Sequence, residues 1–490
     1  MRKITQIQSL IIIGVLAFLL AACSQQEPIS IIITPTPDPN LVVATAVPTS
    51  VPSDTPVPTE TATPTATSTA TVTETATPIP TDTPDATLAQ FGGPIVGTAY
   101  VHPTISPTEL TLADIPTITP TPGAPTASFT PGPSPTPLPG LDANRMGLQL
   151  YSQVSFDDWM PVIGLVEGVG VGWVKIQANW AFLQPDGPND FNQQMQLFEM
   201  QVQAAARPGF NVLLSIAKAP LWARSVQEES GPPDDPQALA DFITFMLSTK
   251  IGESIDAIEI WNEPNLAREW RGTLPFSGAG YMQLFAPAYQ AVRAYSPQMT
   301  VVSAGLAPTG SLPDTVDDRD YLRQMYAAGL GDYADVAVGI HPYGWGNAPD
   351  ARCCDQIPDR SWDDDPHFFF INTLEEYRQI MVESGHEEQR LWATEFGWAT
   401  WEGLGSEAPE LWVTYNSAQN QSDYAIRAFE IGQSLPYMGP MFLWNLNFAN
   451  ETLVEQRDER TAYSIINPVL PVQERPLFWA LAVATGALER

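Results

Sequence analysis

A (β/α)8 barrel, preceded by an export signal and a long unstructured stalk, is the architecture that this 490-residue sequence predicts. Short apolar runs and helical patterns alternate eight times after Arg145, as strands and helices do in βα repeats. Most of the first 141 residues are too poor in large apolar side chains to pack, which leaves about 350 residues for one large core. No glycine-rich phosphate loop follows the first predicted strand, which weighs against a nucleotide-binding open sheet.

At the N-terminus, Arg2 and Lys3 precede an apolar stretch from Leu10 to Leu20. That run is short for a spanning helix and has the layout of a secretory signal over residues 1–22. Leu20-Ala21-Ala22-Cys23 resembles a bacterial lipobox, in which small residues fit the peptidase and the thiol takes the lipid. The resemblance implies lipidation of Cys23 and an exported protein tethered to the outer face of a membrane. Residues 23–141 form a linker rich in Pro, Thr and Ser, with no Lys or Arg between Lys3 and Arg145. Such a tract cannot offset its chain entropy by burial and is expected to extend as a stalk, at about 3.1 Å per residue if fully polyproline II.

From residue 142 to 490 the texture is that of a folded domain. Candidate strands are Met146–Leu150, Trp173–Gln177, Val212–Ile216, Ile255–Trp261, Thr300–Ala304, Val336–His341, Leu391–Glu395 and Pro440–Trp444. Helical patterns lie near 156–167, 190–206, 235–249, 279–294, 319–329, 373–384, 418–434 and 474–486. Strands buried on both faces read as near-continuous apolar runs, and eight repeats in this length match a closed TIM barrel.

Charge and cysteines bound the partners. Fifty-five acidic against 22 basic residues give a net charge of −33, which repels nucleic acid and anionic lipid but not a neutral carbohydrate. Membrane contact is therefore expected only through the lipid, and the domain is expected to be a monomer. Of three cysteines, Cys353 and Cys354 are adjacent. Across a trans peptide their Cα atoms would lie about 3.8 Å apart, shorter than ordinary disulfide geometry. A vicinal bridge and two free thiols both stay open. The four histidines show no ligand spacing with this pair, and neither a metal nor another cofactor is expected.

In a barrel of this kind the chemistry lies at the C-terminal ends of the strands. The fourth predicted strand runs into Trp261-Asn262-Glu263-Pro264-Asn265, and the seventh into Thr394-Glu395-Phe396-Gly397-Trp398. Two carboxylates facing each other across a mouth suit glycosidic cleavage. One protonates the leaving oxygen, and the other attacks the sugar or serves an attacking water.

These motifs resemble glycoside hydrolase clan A, near families 39 and 5, over residues 146–490. The resemblance implies Glu263 as acid/base, Glu395 as nucleophile and Asn262 as partner of the sugar 2-hydroxyl. His341-Pro342-Tyr343 resembles the clan's His-x-Tyr, whose tyrosine touches the nucleophile, and Trp444 resembles its aromatic platform. Trp398 joins Trp444 as an expected substrate contact, because sugar C–H faces pack on aromatics. Trp180 and Trp222 fit core packing and sugar contact equally. Glu259 is expected inside the barrel. Family 5 commonly has an Arg on strand 2 that supports the nucleophile. Here Lys175 or Gln177 takes that place, or the support is missing. The function so implied is a retaining glycoside hydrolase of β-linked poly- or oligosaccharides. Its rival is a carbohydrate-binding surface protein on a degenerate barrel.

Overall fold

The computed structural model describes residues 140–188, 190–228, 230–354, 364–467 and 473–488. The export signal, Cys23 and nearly all of the stalk lie outside the described residues. Among the described residues no helix is long and apolar enough to cross a membrane.

Eight parallel strands close into a barrel: β1 (Met146–Leu150), β2 (Trp173–Asn179), β3 (Asn211–Ala217), β4 (Ala257–Ile260), β5 (Thr300–Ser303), β6 (Val336–Ile340), β7 (Leu391–Phe396) and β8 (Met438–Leu443). Closure sets Met146, Gly147 and Leu148 of β1 against Met441, Phe442 and Leu443 of β8. The outer layer is α1 (Phe156–Val169), α2 (Gln193–Ala206), α3 (Pro236–Leu247), α4 (Gly278–Tyr295), α5 (Asp318–Ala327), α6 (Phe370–Glu383), α7 (Ala418–Ser434) and α8 (Pro476–Thr485). The eightfold alternation is thus the one read from the sequence.

Helix starts follow local chemistry. Ser155, Asn192, Asp235, Ser277, Asp317 and Ser417 each accept a hydrogen bond from a backbone N–H of the first turn. Asn192 explains why α2 begins after the predicted 190. The fourth strand stops at Ile260, one residue short of the prediction, because Trp261 turns to φ 76°. A two-stranded antiparallel pair, Ile466–Asn467 with Gln473–Glu474, follows β8 and had no signal in the sequence.

Strand periodicity of two sorts the side chains into a barrel interior and a helix-facing layer. Val174, Ile176, Leu214, Ile216, Ile258, Val301 and Val338 belong to the large core shared with the helices. The alternate positions point inward. Their lowest ring is apolar: Trp173, Leu213, Ala257, Val302, Ala337, Trp392 and Phe442 form a separate cluster. Trp173 meets Trp392 edge-on at 5.3 Å and Phe442 at 5.9 Å. A Cβ on Gly147 would fall 2.5 Å from the Phe442 ring, so β1 leaves the space that this ring fills. Two residues further along, the interior turns polar, with Gln149, Lys175, Ser215, Glu259 and Thr394 all buried. The functional cleft rests on that polar layer.

Candidate active site

Lys175 organises the polar layer. Its ammonium is fully buried, 2.9 Å from Glu259 Oε2 and 3.1 Å from Glu395 Oε1, and donates to Thr394 O at 3.2 Å. Burial alone would lower the Lys175 pKa, but the charges of Glu259 and Glu395 outweigh it and raise it. Glu259 is held below the usual carboxylate range, because Lys175 and His341 overcome the opposing effect of burial. One buried ammonium thus faces two carboxyl groups.

Above this layer the chain leaves β4 through backbone that side chains rarely adopt. Trp261 lies at φ 76° and Glu263 at φ 44°. Among the described residues the other positive-φ non-glycines are Lys218, Trp345 and Arg457, all on loops following the C-terminal ends of strands. Each costs roughly 1–3 kcal/mol and survives where the surroundings fix it. Here the Glu263 N–H donates to Gly305 O at 3.0 Å, and Asn265 ties its loop to Ala307 and Val316. Trp261 Nε1 donates to Glu269 O.

Glu263 and Glu395 converge on one histidine. His341 Nδ1 shares a 3.0 Å hydrogen bond with Glu263 Oε1 and lies 3.9 Å from Glu395 Oε2. That nitrogen and one oxygen of each carboxylate all lie within 4.8 Å of one another. The Tyr343 hydroxyl donates to Glu395 Oε2 at 3.0 Å. Glu395 thus receives Lys175 on one oxygen and Tyr343 on the other. Burial pushes the Glu263 carboxyl up, but its hydrogen bond to His341 and the charges of His341, Arg268 and Lys175 outweigh it. The Glu263 pKa is thus lowered, whereas an acid that protonates a leaving oxygen near neutral pH needs it raised.

The cleft encloses about 300 Å³. Asn262, Glu263, Tyr343, Glu395 and Trp444 all line it. Among the described residues, Asn262 Oδ1 has no hydrogen-bond partner. Trp444 packs against Tyr463 at 4.9 Å and Phe448 at 5.6 Å, and a cis peptide joins it to Asn445. His341 is completely buried beneath the cleft, touching both carboxylates rather than forming its wall.

Trp398 is a correction. It is 1% exposed, donates to Asn347 O and packs against Phe370, Phe396 and Tyr424, so it supports the barrel wall and lines no part of the cleft. Trp180 likewise stacks on Phe242 in the core at 5.0 Å. The aromatic wall is supplied instead by Trp345, Phe368, Trp412, Phe448 and Tyr463. Lys218, Arg268, Glu269, Glu459 and Arg460 also line the cleft and were missed. They stand on short 3-10 turns and loops past the strand ends, where a charged residue in sequence looks like any solvated one.

His367 lies 2.6 Å from Asp365 and 2.8 Å from Asp317, fastening the turn that carries Phe368 to the start of α5. Burial opposes its charge, yet the hydrogen bonds to both aspartates and the charge of Asp318 hold its pKa up at about 9. Cys353 and Cys354 are joined as a vicinal disulfide across a cis peptide, whereas the sequence argument assumed a trans one. Glu263, His341 and Glu395 could offer three ligands to a cation, but the Lys175 ammonium beside Glu395 and Arg268 3.6 Å from Glu263 already place positive charge there.

No protein-family model matches the chain, and no curated protein matches it. Solved structures do. A family 39 glycoside hydrolase from the gut symbiont Bacteroides cellulosilyticus WH2 superposes with a TM-score of 0.52 at 18% identity, covering 70% of this chain and 63% of that one. A glucosidase from Croceicoccus marinus gives 0.48 at 12%, over 70% and 68% of the two chains. The GH53 catalytic domain of Ignisphaera aggregans gives 0.47 at 14%, over 71% and 98%. The first of these shares the barrel fold, and this chain spans under two thirds of its length.

Proposed function

We propose that this protein is a retaining glycoside hydrolase that cleaves β-linked poly- or oligosaccharides. The observation that carries the reading is the approach of Glu263 and Glu395, each with an oxygen within 4.8 Å of the other's. Carboxyl groups about 5–5.5 Å apart suit retention, whereas inversion needs about 6.5–9.5 Å to admit water between them. The solved structures it resembles are glycoside hydrolases, which supports the same class.

Glu395 is the nucleophile in this reading. Lys175 and Tyr343 hold and aim it, so that an oxygen faces the sugar carbon. Glu263 is the acid/base. A neutral sugar that displaces water from the cleft deepens the burial of Glu263, which favours its protonated form and readies it to donate. Attack by Glu395 breaks the glycosidic bond as Glu263 protonates the leaving oxygen. The spent acid, now an anion, takes a proton from the water that releases the sugar from Glu395. Asn262 Oδ1 offers a free acceptor for a sugar hydroxyl, and Trp444 offers a face for the ring.

Lys175 on β2 contacts Glu395 where family 5 commonly has an arginine, which favours an enzyme over a purely binding barrel. The lipobox-like Leu20–Cys23 and the stalk support an enzyme tethered outside the cell and held away from its membrane. Glu263→Gln and Glu395→Gln should each abolish hydrolysis of an aryl β-glycoside while preserving the melting temperature. NMR of the first-formed sugar should show the substrate's anomeric configuration. Turnover by both variants, or an inverted product, would overturn the reading.

A further inference from the structure

The catalytic scheme leaves one cleft carboxyl unused. Glu459 opens the 3-10 turn Glu459–Tyr463 in the segment after β8 and lines the cleft. Among the described residues it makes no side-chain hydrogen bond, and its Oε2 is sealed from solvent without a partner. Buried polar atoms in folded proteins are almost always satisfied, so an orphan in a ligand cleft is an acceptor or donor awaiting one.

Glu459 shares its cleft with Glu263 and Glu395. Arg268, from the loop after β4, lies 3.6 Å from Glu263 and lines the same cleft. Tyr463, on the same turn as Glu459, packs against Trp444 at 4.9 Å, so that turn borders the aromatic face offered to a sugar ring.

We propose that Glu459 is a substrate-binding residue of the cleft, where its carboxyl hydrogen-bonds a hydroxyl of a bound oligosaccharide. This rests on the glycosidase reading for the class of ligand, though not for the contact itself. The charged groups around Glu459 are Arg268 from the β4 loop, Glu410 from the β7 loop, and Asp458 and Arg460 beside it. Arg460 is already committed to Asp458 through two short hydrogen bonds. Burial outweighs the attraction of Arg268 and pushes Glu459 up to about 7. The group is thus able to enter as a neutral acid, which gives a sugar hydroxyl both a donor and an acceptor.

The test uses the full-length chain. Calorimetry would measure cello-, xylo- and manno-oligosaccharides of four to six units binding to Glu395→Gln, then to the same variant carrying Glu459→Ala or Glu459→Gln. Loss of the contact should weaken binding about tenfold in the alanine variant, while glutamine, which keeps a donor and an acceptor, restores most of it. Unchanged oligosaccharide affinity in the alanine variant would overturn the proposal, as would an equal loss in the alanine and glutamine variants. Oligosaccharide binding that depends on Glu459 in a wild-type protein without turnover would sustain the contact and overturn the glycosidase reading.

Discussion

Lys175 reaches from the second strand of the barrel to the seventh and sets its ammonium 3.1 Å from Glu395 Oε1. The same nitrogen holds Glu259 at 2.9 Å, so one cation serves two buried carboxylates. Removing it leaves both anions in the barrel interior. Lys175→Met should therefore cost about 3–5 kcal/mol of stability, read as a fall in melting temperature. Adding Glu259→Met should recover much of that loss, since two apolar groups then replace an ion pair. Activity should stay low in the double variant, because Glu395 still lacks its cation. Recovery of both properties together would show that Lys175 serves folding alone.

The second contact to Glu395 can be tested with little damage to the fold. Tyr343→Phe deletes a hydroxyl that donates to Oε2 at 3.0 Å. Hydrogen bonds to charged groups are worth about 1.5–3 kcal/mol, so kcat/KM should fall roughly ten- to hundredfold. Steady-state kinetics on an aryl glycoside checks this, and an unchanged kcat/KM would count against the contact.

Gly305 guards the histidine beneath both carboxylates. A Cβ there would sit 2.2 Å from His341 Nε2 and 2.6 Å from Thr394 Oγ1, and His341 has no exposed side toward which to retreat. Gly305→Ala should displace the ring and break its hydrogen bond with Glu263. About 1–3 kcal/mol of stability should be lost, with a larger proportional loss of activity. A variant with wild-type kinetics would refute the claim that His341 governs the acid.

Alkaline pH should loosen the wall that carries Phe368. His367 titrates near 6.5 when unfolded and near 9 when folded, so its charge stabilises the fold fully below about 6.5. That contribution is lost as pH rises through about 9. Melting temperature measured from pH 6 to 10 should decline in the wild type, and more gently in His367→Asn. Parallel curves for the two proteins would place the dependence elsewhere.

Much of this architecture was legible because strand periodicity and apolar content carry it. All eight strands fell within a few residues of the runs that marked them, and Glu263 and Glu395 lie at the ends of two of those. Lys175 was a named candidate, yet its double role needed the register that brings β2 opposite Glu259 and β7. Trp398 was misplaced because an aromatic just past a strand end looks alike whether it turns toward sugar or toward α7. Glu459 and Arg268 gave no signal, since their loops have no periodicity to tell an inward charge from a solvated one.

The apolar ring of Trp173, Trp392 and Phe442 has a consequence for how a polymer is handled. It stoppers the barrel at the end opposite the catalytic pair, leaving no through-passage. A glycan must therefore arrive and depart on the same face, lying across the opening rather than being threaded. Were the proposed hydrolysis to cut such a chain, both fragments would leave by the route that the intact chain used to enter.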